Sequence, residues 1–115
     1  MVEKLITTIT QLLDEKKAED IEVIDLRGKD YITDYVVIAT ALVGKHSFAL
    51  LDTLKTNLKA QGVEFYGTEE ESEDWIIADL GDVMIHIFTD THRKKFNLEE
   101  FLKTLGKPQN LPSSL

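Results

Sequence analysis

Apolar positions along the chain fall into two rhythms. Val2, Leu5, Ile6, Ile9, Leu12 and Leu13 recur three and four apart, the spacing that lines one side of a helix, and they predict an amphipathic helix from residue 2 to about 17. Lys16 and Lys17 fall in its last turn, where cations favour the helix dipole. From Ile21 to Leu26 the pattern alternates and then meets Arg27-Gly28-Lys29, which reads as a strand and a turn. Tyr35 to Ala39 (YVVIA) is a nearly continuous apolar run, as expected of a strand buried on both faces. Helical spacing returns with Phe48, Leu51, Leu54 and Leu58, in a helix from about Lys45 to Ala60. Gly62 follows it at the position that favours glycine just past a helix end. Val63 to Tyr66 is a candidate short strand.

The clearest signal is the pair of runs Trp75 to Leu80 and Val83 to Phe88 on either side of Gly81-Asp82, a glycine-first pair that predicts a two-residue hairpin. With that turn Leu80 faces Val83, Ala78 faces Ile85, and Ile76 faces Ile87, giving a wholly apolar side. Trp75, Ile77, Asp79, Met84, His86 and Phe88 take the other side, apolar except for an acid and a histidine. A ribbon apolar on both sides must be covered twice, once by its own chain and once by something else. Beyond it, Asn97 with Glu100 three positions later resembles a capping box, opening a last helix lined by Leu98, Phe101, Leu102 and Leu105. Gly106 and Pro108 are expected to end that helix, leaving residues 108–115 as a frayed tail after a single domain over 1–107. The expected fold class is α/β: a mixed β-sheet with flanking helices.

A chain of 115 residues, 43% hydrophobic and 30% charged, has the balance of one globular domain with a single core. It lacks both a run of the ~20 apolar residues that a membrane helix needs and the order of a signal peptide. The absence of cysteine removes disulfides and thiolate chemistry, in keeping with a cytoplasmic protein. Net charge is −8, and its placement is uneven: Glu69, Glu70, Glu71, Glu73, Asp74 and Asp79 follow Glu64 with no lysine or arginine before Asp82. Such a surface repels nucleic acid and attracts a basic protein. The plainer reading makes Thr68 to Asp74 a solvated loop, and Arg93-Lys94-Lys95 a solvated turn.

Candidate chemistry is sparse. Asp82 and His86 lie four apart on one strand, about 13 Å between Cα atoms, too far to share an ion or a proton. His86 therefore reads as a partly buried strand histidine bonded to a neighbour. His46 and His92 fall on predicted surface segments, and no ligand spacing links the three histidines. Phosphate-binding loops and nucleophile elbows are missing, so no catalytic, metal or cofactor residue is assigned and an enzyme is not expected. Trp75, the only tryptophan, either anchors the core or makes contact with a partner; its place beside acids on the half-apolar side favours contact.

Three segments carry a resemblance to a known family: IEVIDLRGKDYITDYVVIAT from Ile21, DWIIADLGDVMIHIF from Asp74, and RKKFNLEEF from Arg93. The spacing of Asp25, Gly28, Lys29, Thr33 and Asp34, followed by that of Trp75, Asp79, Gly81, Asp82 and His86, resembles the ribosomal silencing factor (Iojap-like) family over most of the chain. The resemblance implies a nucleotidyltransferase-like fold without the catalytic acids or activity of those enzymes. It also implies a homodimer that binds ribosomal protein fourteen of the large subunit, blocks joining of the small subunit, and represses translation when nutrients run short. Trp75, Asp79, Leu80 and Asp82 are the expected partner-binding residues, although the assigned turn puts Leu80 on the side opposite Trp75. Two stretches depart from the family pattern. Ala41-Leu42-Val43-Gly44 stands where a hydroxyl-rich turn is usual, leaving a glycine cap for the middle helix and two apolar residues that a second subunit could cover. Phe101-Leu102 stands where a Leu-Trp pair is usual. The competing readings are a diverged metal-dependent nucleotidyltransferase using Asp34, Asp79 and Asp82, and a generic dimeric adaptor.

Overall fold

The all-apolar run beginning at Tyr35 has no polar side to show to water, and it lies in the interior of a sheet. In a computed structural model that describes residues 2–105, the elements are α1 (Val2–Glu15), β1 (Glu19–Asp25), β2 (Tyr35–Ala41), α2 (Gly44–Ala60), β3 (Gly67–Glu69), β4 (Trp75–Asp79), β5 (Val83–Thr89), α3 (Asp90–Phe96) and α4 (Leu98–Leu105). The strands form one sheet in the order β1-β2-β5-β4-β3. Every residue of β2 is buried. It pairs antiparallel with β1 and parallel with β5, from Tyr35↔Val83 to Ala41↔Thr89. The parallel pair requires a crossover, and α2 with β3 and β4 fills it. The mixed sheet expected from sequence is present.

Helices cover the two faces unequally. On one face α1 and α2 set Ile9, Leu13, Leu50, Leu51, Leu54 and Leu58 against Val37, Ala39, Ile76, Ala78, Ile85 and Ile87. On the other, Leu102 with Leu98 and Leu105 packs on Ile24, Leu26, Val36, Ile38 and Phe88. This second cover is short: α4 packs on β1, and α3 on β2 and β5. Ile77, Asp79 and Met84 remain half-exposed.

Several local expectations are corrected. Val63 to Tyr66 is not the third strand. Val63 N–H bonds Leu58 O in the turn that ends α2, with Gly62 left-handed at φ 85° as its position predicted, and pairing with β4 begins only where Tyr66 N–H bonds Asp79 O. The first helix stops at Glu15, because Lys17 turns left-handed at φ 72°. Val43, not Gly44, is the cap residue of α2, and it makes no side-chain cap bond. Arg93-Lys94-Lys95 is not a turn but the body of α3. Asn97 is the left-handed junction (φ 47°) between α3 and α4, a conformation asparagine tolerates, and its backbone oxygen accepts from Glu100 N–H. The expected helix stop at Gly106 and Pro108, and the 108–115 tail, lie outside the described residues. Among the described residues, no helix is long and apolar enough to cross a membrane.

His46 belongs to the scaffold. Its Nδ1 accepts from Leu42 N–H at 2.9 Å, which leaves Nε2 as the donor to Lys16 O at 2.6 Å. One imidazole thus ties the β2–α2 turn to the end of α1.

Candidate protein-docking site

The hairpin forms with the register its pattern predicts. Ala78 pairs with Ile85 and Ile76 with Ile87, and Leu80 N–H bonds Val83 O at 2.9 Å. Gly81 stands at φ 89°, the left-handed conformation that a glycine-first hairpin turn needs. Asp79 Oδ1 accepts Gly81 N–H at 2.9 Å, so this acid closes its own turn while remaining half-exposed. Buried Thr33 donates from Oγ1 to Gly81 O at 3.1 Å. Leu26 N–H bonds Asp34 O, and Asp25 clasps Arg27 through both backbone and guanidinium. The Asp25-to-Asp34 motif therefore braces the hairpin tip. The hydrogen bonds from Arg27 hold the Asp25 carboxyl down at about 2.

Trp75 lies on the face that α3 and α4 cover only partly, and it is half-buried. Its ring centroid is 4.9 Å from that of Phe88 below and 4.9 Å from that of Phe96 on α3. Its Nε1–H donates to His86 Nδ1 at 3.0 Å. His86 is 4% exposed, and burial pushes its pKa from near 6.5 down to about 4, so it is neutral at pH 7. The expected neighbour-bonded strand histidine is present, and the neighbour is Trp75. The second ring nitrogen, Nε2, has no partner among the described residues.

The indole borders an open cleft of about 270 Å³ lined by Glu69, Glu71, Ser72, Ile77, His92 and Phe96. A second shallow cleft, of about 280 Å³, is lined by Gly67, Thr68, Asp79 and Met84 and shares Glu69 and Ile77 with the first. Together they make one strip, apolar along its floor and acidic along its rim. The acidic loop beside it is solvent-exposed, as expected, and it is also fastened to its neighbours. Lys55 pairs with Glu70 at 2.7 Å, and that hydrogen bond lowers the Glu70 pKa. Ser47 Oγ donates to Glu73 O at 2.7 Å, and Thr89 Oγ1 to Asp74 Oδ1 at 3.0 Å.

Of the expected contact residues, Trp75 and Asp79 share the strip. Asp82 is exposed at the tip, beside a different cleft that also holds Arg27, Asp34 and Tyr35. Leu80 is 6% exposed and packs in the core against the opposite helices, so its side chain offers no free surface. Asp34 and Asp82 border one cleft while Asp79 lines another, and among the described residues no three His, Cys, Asp or Glu side chains could hold one metal ion. Sequence reasoning missed Phe96 and His92, which lie on an unforeseen helix. It also missed Arg93, which is buried and held by Glu99 (3.0 Å), Thr40 Oγ1 (2.8 Å), Asp20 O and Glu22. At the departures from the family pattern, Leu42 and Val43 are exposed; Phe101 is exposed while Leu102 is buried.

The profile of the family described as "Ribosomal silencing factor during starvation" matches residues 1–113. The chain is 36% identical over 97 residues to the ribosomal silencing factor RsfS of Haemophilus influenzae, covering 84% of this chain and 95% of that protein. It is 28% identical over 99 residues to the mouse "Mitochondrial assembly of ribosomal large subunit protein 1", covering 83% of this chain but 43% of that longer protein. A crystal structure of a Chromobacterium violaceum protein superposes with a TM-score of 0.84, covering 100% of this chain and 94% of that one at 22% identity, a likeness of fold. The matching profile and the Haemophilus relative agree: this chain belongs to the ribosomal silencing factor family.

Proposed function

We propose that this protein represses translation by docking on the large ribosomal subunit, through the strip from Phe96 and Trp75 to Asp79 and Met84, so that its bulk blocks the small subunit from joining. The observation that carries the reading is the unequal cover of the sheet. Phe96, Trp75, Ile77 and Met84 form a partly open apolar floor beside Glu69, Glu71 and Asp79, the composition of a protein–protein contact with a basic partner. The naming of the mouse relative for large-subunit assembly favours the same subunit. Ribosomal protein fourteen is the partner proposed there, and repression under nutrient limitation agrees with the starvation in the family's description. The action is steric and needs no cofactor, metal or bond-making step. In a bacterial cell it belongs to the cytoplasm. The nucleotidyltransferase-like fold proposed for the chain contributes a scaffold here, not a reaction.

Trp75 supplies the central apolar contact, Asp79 and Asp82 pair with lysine or arginine, and Leu80 acts from beneath by fixing the tip. Exposed Leu42 and Val43, with Phe48 on the following turns of α2, are the surface proposed for a homodimer. Co-sedimentation with purified large subunits, followed by addition of small subunits, tests the reading. The wild-type chain should sediment with large subunits and lower the yield of joined ribosomes. A chain that stays in the supernatant, or binds without reducing joining, would refute it.

A further inference from the structure

The Trp75–His86 bond sits at an unusual place. A tryptophan at a docking surface has one polar atom, Nε1–H, which must find an acceptor in the free protein and again in the complex. Here the acceptor is a buried imidazole on the neighbouring strand, at 3.0 Å, two residues from the directly paired position and so on the same face: Trp75 pairs with Phe88, and His86 with Ile77. The imidazole lies nearly parallel to Phe88 (13° between planes, 6.2 Å between centroids), and Trp75 lies over both rings with Phe96 on a further side. An aliphatic residue would suit this apolar surface without an imidazole nitrogen to bury. Folding alone therefore gives little reason for a histidine.

We propose that His86 is a positioning residue for the docking face, holding the Trp75 indole with its N–H turned into the protein so that the surface offered to a partner is apolar and already satisfied. The inference rests on the docking role proposed for Trp75. With the N–H bonded internally, a partner need not supply an acceptor, and the side chain loses little freedom on binding. Without the acceptor, a half-buried N–H is left unmatched, and turning the ring toward water relieves it. The strip would then lose its shape at the Trp75 end. Because burial keeps His86 neutral, the Nδ1 lone pair is available at physiological pH.

The test uses the sole tryptophan as its own reporter. His86→Leu removes the acceptor; His86→Asn sets an amide oxygen near the place of Nδ1; His86→Gln carries its acceptor one bond further out. Acrylamide quenching and fluorescence anisotropy are read on the free proteins, and co-sedimentation with purified large subunits is read alongside. In His86→Leu and His86→Gln, Trp75 should become more quenchable and less anisotropic and binding should fall about tenfold, whereas His86→Asn should restore both. If the leucine variant fails to fold, the asparagine and glutamine variants carry the same comparison. Unchanged quenching and anisotropy in the leucine or glutamine variant would overturn the positioning role, as would full binding by that variant while Trp75→Ala loses it. If Trp75→Ala itself binds as the wild type does, the docking reading fails, and that outcome is distinct from either of these.

Discussion

Protonating His86 means placing a charge in the sheet interior and taking the acceptor away from Trp75, so folding is coupled to pH through this residue. In the unfolded chain the imidazole protonates near pH 6.5; in the folded chain it does so only near 4. Between those values the unfolded state binds more protons, and stability must decline as pH falls. The decline amounts to about 3 kcal/mol between pH 7 and pH 4, and urea unfolding across that range should show it in the wild type and not in His86→Leu. Asp25 acts in a lower window: its carboxylate form is favoured by Arg27, and that contribution is lost only as pH falls from near 3.8 toward 2. Arg93 is a structural counterpart to His86. Removing this buried cation leaves the Glu99 carboxylate uncompensated, while Glu22 keeps Lys103, and Arg93→Ala should lower unfolding free energy by about 3 kcal/mol. The bonded state of His86 was legible because an imidazole on an apolar strand must find a local partner. Arg93 was not, since its partners come from β1, β2 and α4 and no spacing along the chain announces them.

Among the elements, the hairpin was the most legible because a two-residue turn fixes register, and register fixes every side chain's face. Its tip depends on Gly81. An alanine there would have to adopt φ 89° at a cost of about 1–2 kcal/mol, and its Cβ would lie 3.0 Å from the Tyr66 ring. Gly81→Ala should therefore be destabilised by at least that amount in urea titration. The element least legible was α3. Its basic residues suggested a solvated turn, yet Arg93 faces inward and Phe96 closes over Trp75, while Asn97 makes the break between two short helices by turning left-handed. That break lets α4 serve β1 while α3 serves β5, and it leaves the β3–β4 side of the face open. The open strip thus follows from how far two short helices can reach. The acidic loop is another case: it is exposed as its charges suggest, yet the Glu70 and Asp74 carboxylates and the Glu73 backbone are tied to α2 and β5, which steadies the acidic rim beside Trp75.

At the scale of the whole molecule, a net charge of −8 on 115 residues makes association with a basic surface fast and sensitive to salt. Asp82 is the cleaner residue for testing this, because Asp79 also closes the hairpin turn. Asp82→Lys should slow association with large subunits and flatten its dependence on ionic strength, with dissociation little changed; stopped-flow mixing at several salt concentrations reads both. Trp75→Ala acts differently. It should weaken binding by about 2 kcal/mol or more. It should also cost some stability, because the indole packs on Phe88 and Phe96. The fold class was readable from the order of the elements, and the half-apolar side of the hairpin from its alternation. The limits of the strip were not, because they depend on which helices reach it.

The most direct test of the docking face is hydroxyl-radical footprinting of the protein alone and bound to purified large subunits, since Trp75 and Met84 are both reactive reporters on the strip. The account predicts strong protection of Trp75 and Met84 in the complex, while Phe101, exposed on α4, keeps its free-protein rate. Bound protein in which Trp75 and Met84 oxidise as fast as in the free chain would contradict it.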